Sequence, residues 1–168
     1  MLWVIIYLFF SFILEGFMSN IFFSTLSDVS IFSTIYTIVA VVVIYPYFMN
    51  EKKYFLIVGF WGLLFDFVYT STFPFNLLIF LLIGFIVKLL NNLLQSNVLT
   101  NNLISFLCIV FYHIFSFVIL TIVEYGNYNI MLLFNIIIHS ILMTLIYATV
   151  GYFIFKLIFS KFGLKQIK

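Results

Sequence analysis

Gly59-Phe60-Trp61-Gly62-Leu63-Leu64-Phe65-Asp66, continuing through Thr70-Ser71-Thr72-Phe73-Pro74-Phe75-Asn76, is a membrane span with a carboxylate inside it. On insertion scales an acid at membrane depth costs roughly 2.5–3.5 kcal/mol, so it needs a hydrogen-bonding partner or a water pocket. Gly59 and Gly62 stand seven and four residues before Asp66, which places all three on one helix face. Glycines there let a second backbone approach closely. The spacing therefore predicts a packing face, with the acid turned toward protein rather than lipid.

The rest of the chain fits that solvent. Of 168 residues, 66% are hydrophobic, 23% aromatic and only 7% charged, against about a quarter charged in a soluble domain. Backbone polar groups in lipid must be satisfied within the segment, which leaves helices for a chain of long apolar runs. The expected fold is all-α: one polytopic membrane domain over residues 1–168, a six-helix transmembrane bundle. Windows of about 20 apolar residues, the length that crosses the hydrocarbon core, fall at 2–23, 31–49, 54–70, 75–94, 103–124 and 131–158. The third span is short, and Thr70–Asn76 reads as a re-entrant turn at the interface. The N-terminus is apolar from Leu2 without basic residues, so it reads as a retained first span rather than a cleaved signal. A lone Cys108 gives no disulfide framework.

The lysines set the orientation. Lys52, Lys53, Lys88, Lys156, Lys161, Lys165 and Lys168 all fall in the second or fourth loop, the C-terminal tail or the helix ends beside them. Positive residues mark the cytoplasmic side, so both termini are expected in the cytoplasm, with Asp28 and Glu124 at the opposite surface. All loops are short, which confines recognition to the intramembrane surface and its rims.

Four ionisable groups lie inside spans: Glu15, Asp66, His113 and His139. Carboxylate and histidine at similar depth would lower each other's cost by pairing. Such a set reads either as a proton relay or ligand pocket, or as buried pairs that fix helix packing. Ser11, Glu15 and Ser19 form a polar stripe on span 1, and Ser105, Cys108, Tyr112 and Ser116 one on span 5. Ser140, Thr144, Ala148 and Gly151 form a small-residue stripe on span 6. Stripes of this kind are usually helix–helix seams, and Asn135 with His139 one turn on fits the same role. No HExxH, CxxC or P-loop pattern occurs, so no catalytic residue, metal or cofactor is expected, and neither is a nucleic-acid partner.

Gly59-Phe-x-Gly62-x-x-x-Asp66, then Ser71-Thr72, Asn76 and the apolar run to Gly84-Phe85, resembles the rod shape-determining protein MreD family. The motif covers about a sixth of the chain, and Pro74 stands where the family more often has glycine. The resemblance implies a non-enzymatic membrane scaffold of the bacterial cell-elongation machinery (the elongasome), which supports peptidoglycan synthesis and cell shape from the cytoplasmic (inner) membrane. Implied partners are MreC, RodA and the class B penicillin-binding protein, within the lipid bilayer. Gly59, Gly62, Asp66, Ser71, Thr72 and Asn76 would form its structural motif or partner-binding residues. The fold it implies is similar to transporter substrate-binding components. A small-molecule (vitamin-type) substrate-binding component of an energy-coupling-factor transporter is therefore the alternative, though the Ser11/Glu15/Ser19 stripe is poor for docking a coupling subunit.

Overall fold

Ile35 to Ile44 is an apolar run in which Thr37 is the one aliphatic hydroxyl, and every residue from Tyr36 to Ile44 is buried. A helix hydrophobic all round has no face to offer water and belongs in a core. The computed structural model describes residues 1–22, 34–70, 73–122 and 130–161 and is almost entirely helical. Its six helices are α1 (Leu2–Phe22), α2 (Tyr36–Ile44), α3 (Glu51–Phe65), α4 (Phe75–Leu93), α5 (Val98–Ile122) and α6 (Ile130–Lys161). Helix α2 is the central post, with α1, α4, α5 and α6 packed around it. Helices α3 with α4, and α5 with α6, form the two most extensively packed pairs.

Among the described residues, four stretches are long and apolar enough to cross a membrane: Glu51–Thr70, Phe75–Leu93, Val98–Ile119 and Leu133–Lys161. Leu2–Met18 and Tyr36–Tyr47 are shorter apolar helices. This architecture is compatible with a multi-pass membrane protein. The second window departs most from expectation. Its α-helical part has nine residues, about 14 Å at 1.5 Å per residue, where a full crossing needs about 30 Å. It tightens into a 3₁₀ turn over Tyr45–Tyr47 with Pro46 at its start, and Phe48 is already extended. Proline cannot supply the next helical N–H. Residues 31–33 of that window lie outside the described residues.

Helix α3 starts earlier than the hydropathy window, because Asn50 caps it by accepting the Lys52 N–H at 3.0 Å. At its far end Asp66–Thr70 widen into a π turn. After Ser71 and Thr72, which lie outside the described residues, a cis Phe73–Pro74 peptide leads into α4.

The core is continuous. Val4, Leu8, Ile38, Tyr54, Phe80, Ile104 and Phe155 are among its fully enclosed side chains. On α1 the buried positions are Val4, Tyr7, Leu8 and Ser11, while Ile5, Ile6, Phe9, Phe10, Ile13 and Phe17 stay exposed. So much exposed apolar surface is untenable in water and suits lipid.

Glu51 at the start of α3 pairs with Lys88 late in α4, Oε2 to Nζ 2.6 Å. Helix α5 begins five residues after α4 ends, and its Asn101 and Asn102 bond Ala148 and Thr149 of α6. Lys52, Lys53, Lys88, Lys156 and Lys161 therefore gather at one end of the bundle. The α3–α4 connection, with Asp66, sits at the other.

Candidate functional site

Asp66 ends α3 fully buried, facing the start of α4. Its Oδ1 accepts the Asn76 backbone N–H at 2.9 Å and the Asn76 Nδ2 at 3.1 Å. Its Oδ2 accepts the Leu77 N–H at 3.0 Å. The first turn of any helix leaves N–H groups unsatisfied and carries partial positive charge. Pro74, at the N-cap of α4, offers no side-chain cap bond. The acid of the preceding helix takes over that role, which neutralises a cost on each side: an anion in apolar surroundings, and orphan donors at a buried helix end.

Asn76 spreads the contact. Its Nδ2 also donates to Thr70 Oγ1 at 2.8 Å, and its Oδ1 accepts from Tyr112 OH on α5 at 3.0 Å. Three helices are thus joined through one fully buried amide.

Gly62 makes the approach possible. A Cβ there would lie 2.9 Å from Leu77 Cα and 3.0 Å from Asn76 O, so the backbones of α3 and α4 are in contact. Gly59 differs: a Cβ would meet only the side-chain ends of Leu81 and Leu77 at 3.5 and 3.6 Å. The two glycines share a face, and Gly62 is the one at the close approach. Gly84 continues the seam, with Phe55 and Val58 of α3 over it.

Glu15 repeats the device one hairpin earlier. Its Oε2 accepts the Thr37 N–H at 3.3 Å and the Thr37 hydroxyl at 3.4 Å, at the first turn of α2. The hydroxyls of Tyr36, Tyr69, Tyr112 and Tyr147 lie within electrostatic reach of this carboxylate, and Tyr112 is within reach of Asp66 as well. The two acids therefore lie at the same end of the bundle among tyrosines from four elements, and Tyr112 is the one within reach of both. Tyr69 OH donates to the Phe12 carbonyl on α1.

The stripes on α1 and α6 meet other helices. Ser11 is buried and bonds Tyr147 OH at 2.7 Å. Ser140 O accepts from Thr34 at 2.8 Å, and Thr34 Oγ1 lies 3.0 Å from Thr144 Oγ1. Ala148 is buried, and Gly151 leaves room for the ring of Tyr7. On α5, Ser105 and Cys108 are fully buried.

His139 turns back on its own helix, Nδ1 to the Asn135 carbonyl at 2.7 Å, while the described bonds of Glu15 and Asp66 go to helix N-termini. His113, half-buried on α5, stands edge-on to Tyr112 with centroids 5.7 Å apart. Among the described residues no three His, Cys, Asp or Glu side chains converge as a metal site would require. The chemistry available is hydrogen bonding between helices: caps and tyrosine bridges that hold them in register.

Thr37, Thr34, Tyr69 and Tyr147 are the members that sequence reasoning missed. Thr37 had a signal, as the one aliphatic hydroxyl between Ile35 and Ile44. Tyr69 and Tyr147 had none, being two of 11 tyrosines.

No family model, curated protein or solved structure matches this chain.

Proposed function

We propose that this chain is a non-enzymatic scaffold of the bacterial cell-elongation machinery, of the MreD type, embedded in the cytoplasmic membrane. In this reading its helical surface binds the membrane span of MreC and supports the peptidoglycan synthase formed by RodA and the class B penicillin-binding protein. One observation supports it most: Gly62, Asp66 and Asn76, which carry the resemblance, meet in a single close-packed unit of α3 and α4. A unit built to fix the relative position of two helices serves a protein whose task is to present a shaped surface. The gathering of lysines at the opposite end supports a cytoplasmic setting for that end and for both termini under the positive-inside rule.

The transporter alternative is weaker on the same ground. Docking a coupling subunit through span 1 needs its stripe on the outside, yet Ser11 is buried and bonded to Tyr147. The test is affinity purification of the tagged chain from its native membrane in detergent, with the co-purifying proteins identified by mass spectrometry. Recovery of MreC together with RodA and a class B penicillin-binding protein upholds the scaffold. Recovery of paired ATPases with a coupling membrane subunit replaces it with the transporter component.

A further inference from the structure

A groove of about 500 Å³ opens on the lipid-facing side of α4, walled by Phe55 of α3, Phe75, Leu78, Leu82 and Phe85 of α4, and Phe115 of α5. Its volume is in the range of small-molecule sites, and every lining side chain is apolar. Leu78, Leu82 and Phe85 are each between 42% and 55% exposed, so the groove is unfilled by the chain itself. Two of its wall rings, Phe75 and Phe115, stand with centroids 6.5 Å apart.

Two features select the occupant. The first is length. From Phe75 to Phe85 the groove follows ten residues of helix, about 15 Å at 1.5 Å per residue. That equals the depth of one leaflet in a hydrocarbon core of about 30 Å. The second is charge. Lys52 lies three residues before Phe55 and Lys88 three after Phe85, so both stand one helical turn beyond the same end of the groove. Lys53 adjoins Lys52 in sequence, and among the described residues of that corner the carboxylate is Glu51, which pairs with Lys88. Among the described residues, three cations against one anion give that corner a net positive charge of two.

We infer that this groove holds one acyl chain of an anionic glycerophospholipid from the leaflet on the lysine side, its phosphate set at Lys52 and Lys53. The groove supplies apolar contact along the chain, and the lysines supply headgroup selectivity. Neither feature depends on the scaffold function proposed above.

Native mass spectrometry of the full chain in detergent, titrated with phosphatidylglycerol or phosphatidylcholine of identical acyl chains, tests this. The expected result is one phosphatidylglycerol adduct formed in preference to phosphatidylcholine. Lys52→Gln with Lys53→Gln should lower the preference about fivefold per lysine removed. Leu78→Trp with Leu82→Trp should fill the groove and abolish the adduct. Equal uptake of the two lipids, a preference untouched by the lysine changes, or an adduct that survives the filled groove overturns the inference. Should the double tryptophan chain misfold, a photoreactive residue at Leu82 in membranes decides instead. Crosslinks of lipid mass uphold the lipid site, and crosslinks to a second copy or another protein's helix overturn it.

Discussion

Replacing Asp66 with alanine withdraws the acceptor from the Asn76 N–H at 2.9 Å, the Leu77 N–H at 3.0 Å and the Asn76 amide at 3.1 Å. The amide keeps Thr70, so the loss falls mainly on the two backbone donors at the first turn of α4. A buried donor without a partner costs about 1–3 kcal/mol, and loss of a helix cap about 0.5–2 kcal/mol. Relief of the carboxylate's own desolvation offsets part of this, so the net expectation is about 3 kcal/mol for the two stranded donors together. For a chain of this length each kcal/mol moves the melting temperature by about 2–4 °C, so the midpoint in detergent should fall on the order of 10 °C. Asp66→Asn keeps one acceptor oxygen and loses the charge that suits the helix terminus, and should fall between alanine and wild type. Thermal unfolding followed by tryptophan fluorescence gives the midpoint, and hydrogen exchange resolved at Asn76 and Leu77 gives the local effect. An alanine variant that melts within about 2 °C of wild type, less than one kcal/mol on that scale, and retains protection at both amides would refute the assignment of Asp66 as the cap of α4.

Three further outcomes are expected. Gly62→Ala drives a methyl against the α4 backbone at 2.9 Å and should destabilise by about 1–3 kcal/mol. Gly59→Ala, with its neighbours at 3.5 Å or beyond, should be neutral or gain up to about 1 kcal/mol of helix propensity; paired melts decide, and equal loss in both contradicts the seam geometry. Glu15→Ala should cost less than Asp66→Ala, about 1 kcal/mol, because its bonds to Thr37 are long at 3.3 and 3.4 Å; the reverse order in the same melt would show that α2 depends on its cap more than α4 does. Labelling with a membrane-impermeant maleimide checks the orientation against little background, since Cys108 is fully buried. Asn97→Cys should react only from the cytoplasmic face and Phe73→Cys only from the outer one, and the opposite pattern inverts the topology.

Hydropathy alone was enough for an all-helical chain with segments able to cross a membrane, because apolar surroundings force each long segment to satisfy its own backbone. It was also enough to turn Asp66 toward protein, since a carboxylate facing lipid is too costly to keep, and to separate a lysine-bearing end from an acid-bearing one. Which faces point inward was not legible. In water the buried stripe of a helix announces itself by contrast with a polar face, but here Ile5, Phe9 and Phe10 face outward as apolar as Val4 and Leu8 face inward. The shortness and full enclosure of α2 were hidden for the same reason, since an apolar window measures composition and not where a helix ends. Asp66 could be read as needing a partner, but its partner is the backbone of α4. That pairing exists only once Gly62 brings Leu77 to contact distance and sets the register of the two helices. Glu15 and Thr37, 22 residues apart, and Asn76 and Tyr112, 36 apart, meet for the same reason: hydrogen bonds between helices arise from packing, which places distant residues together in a way that no local pattern records.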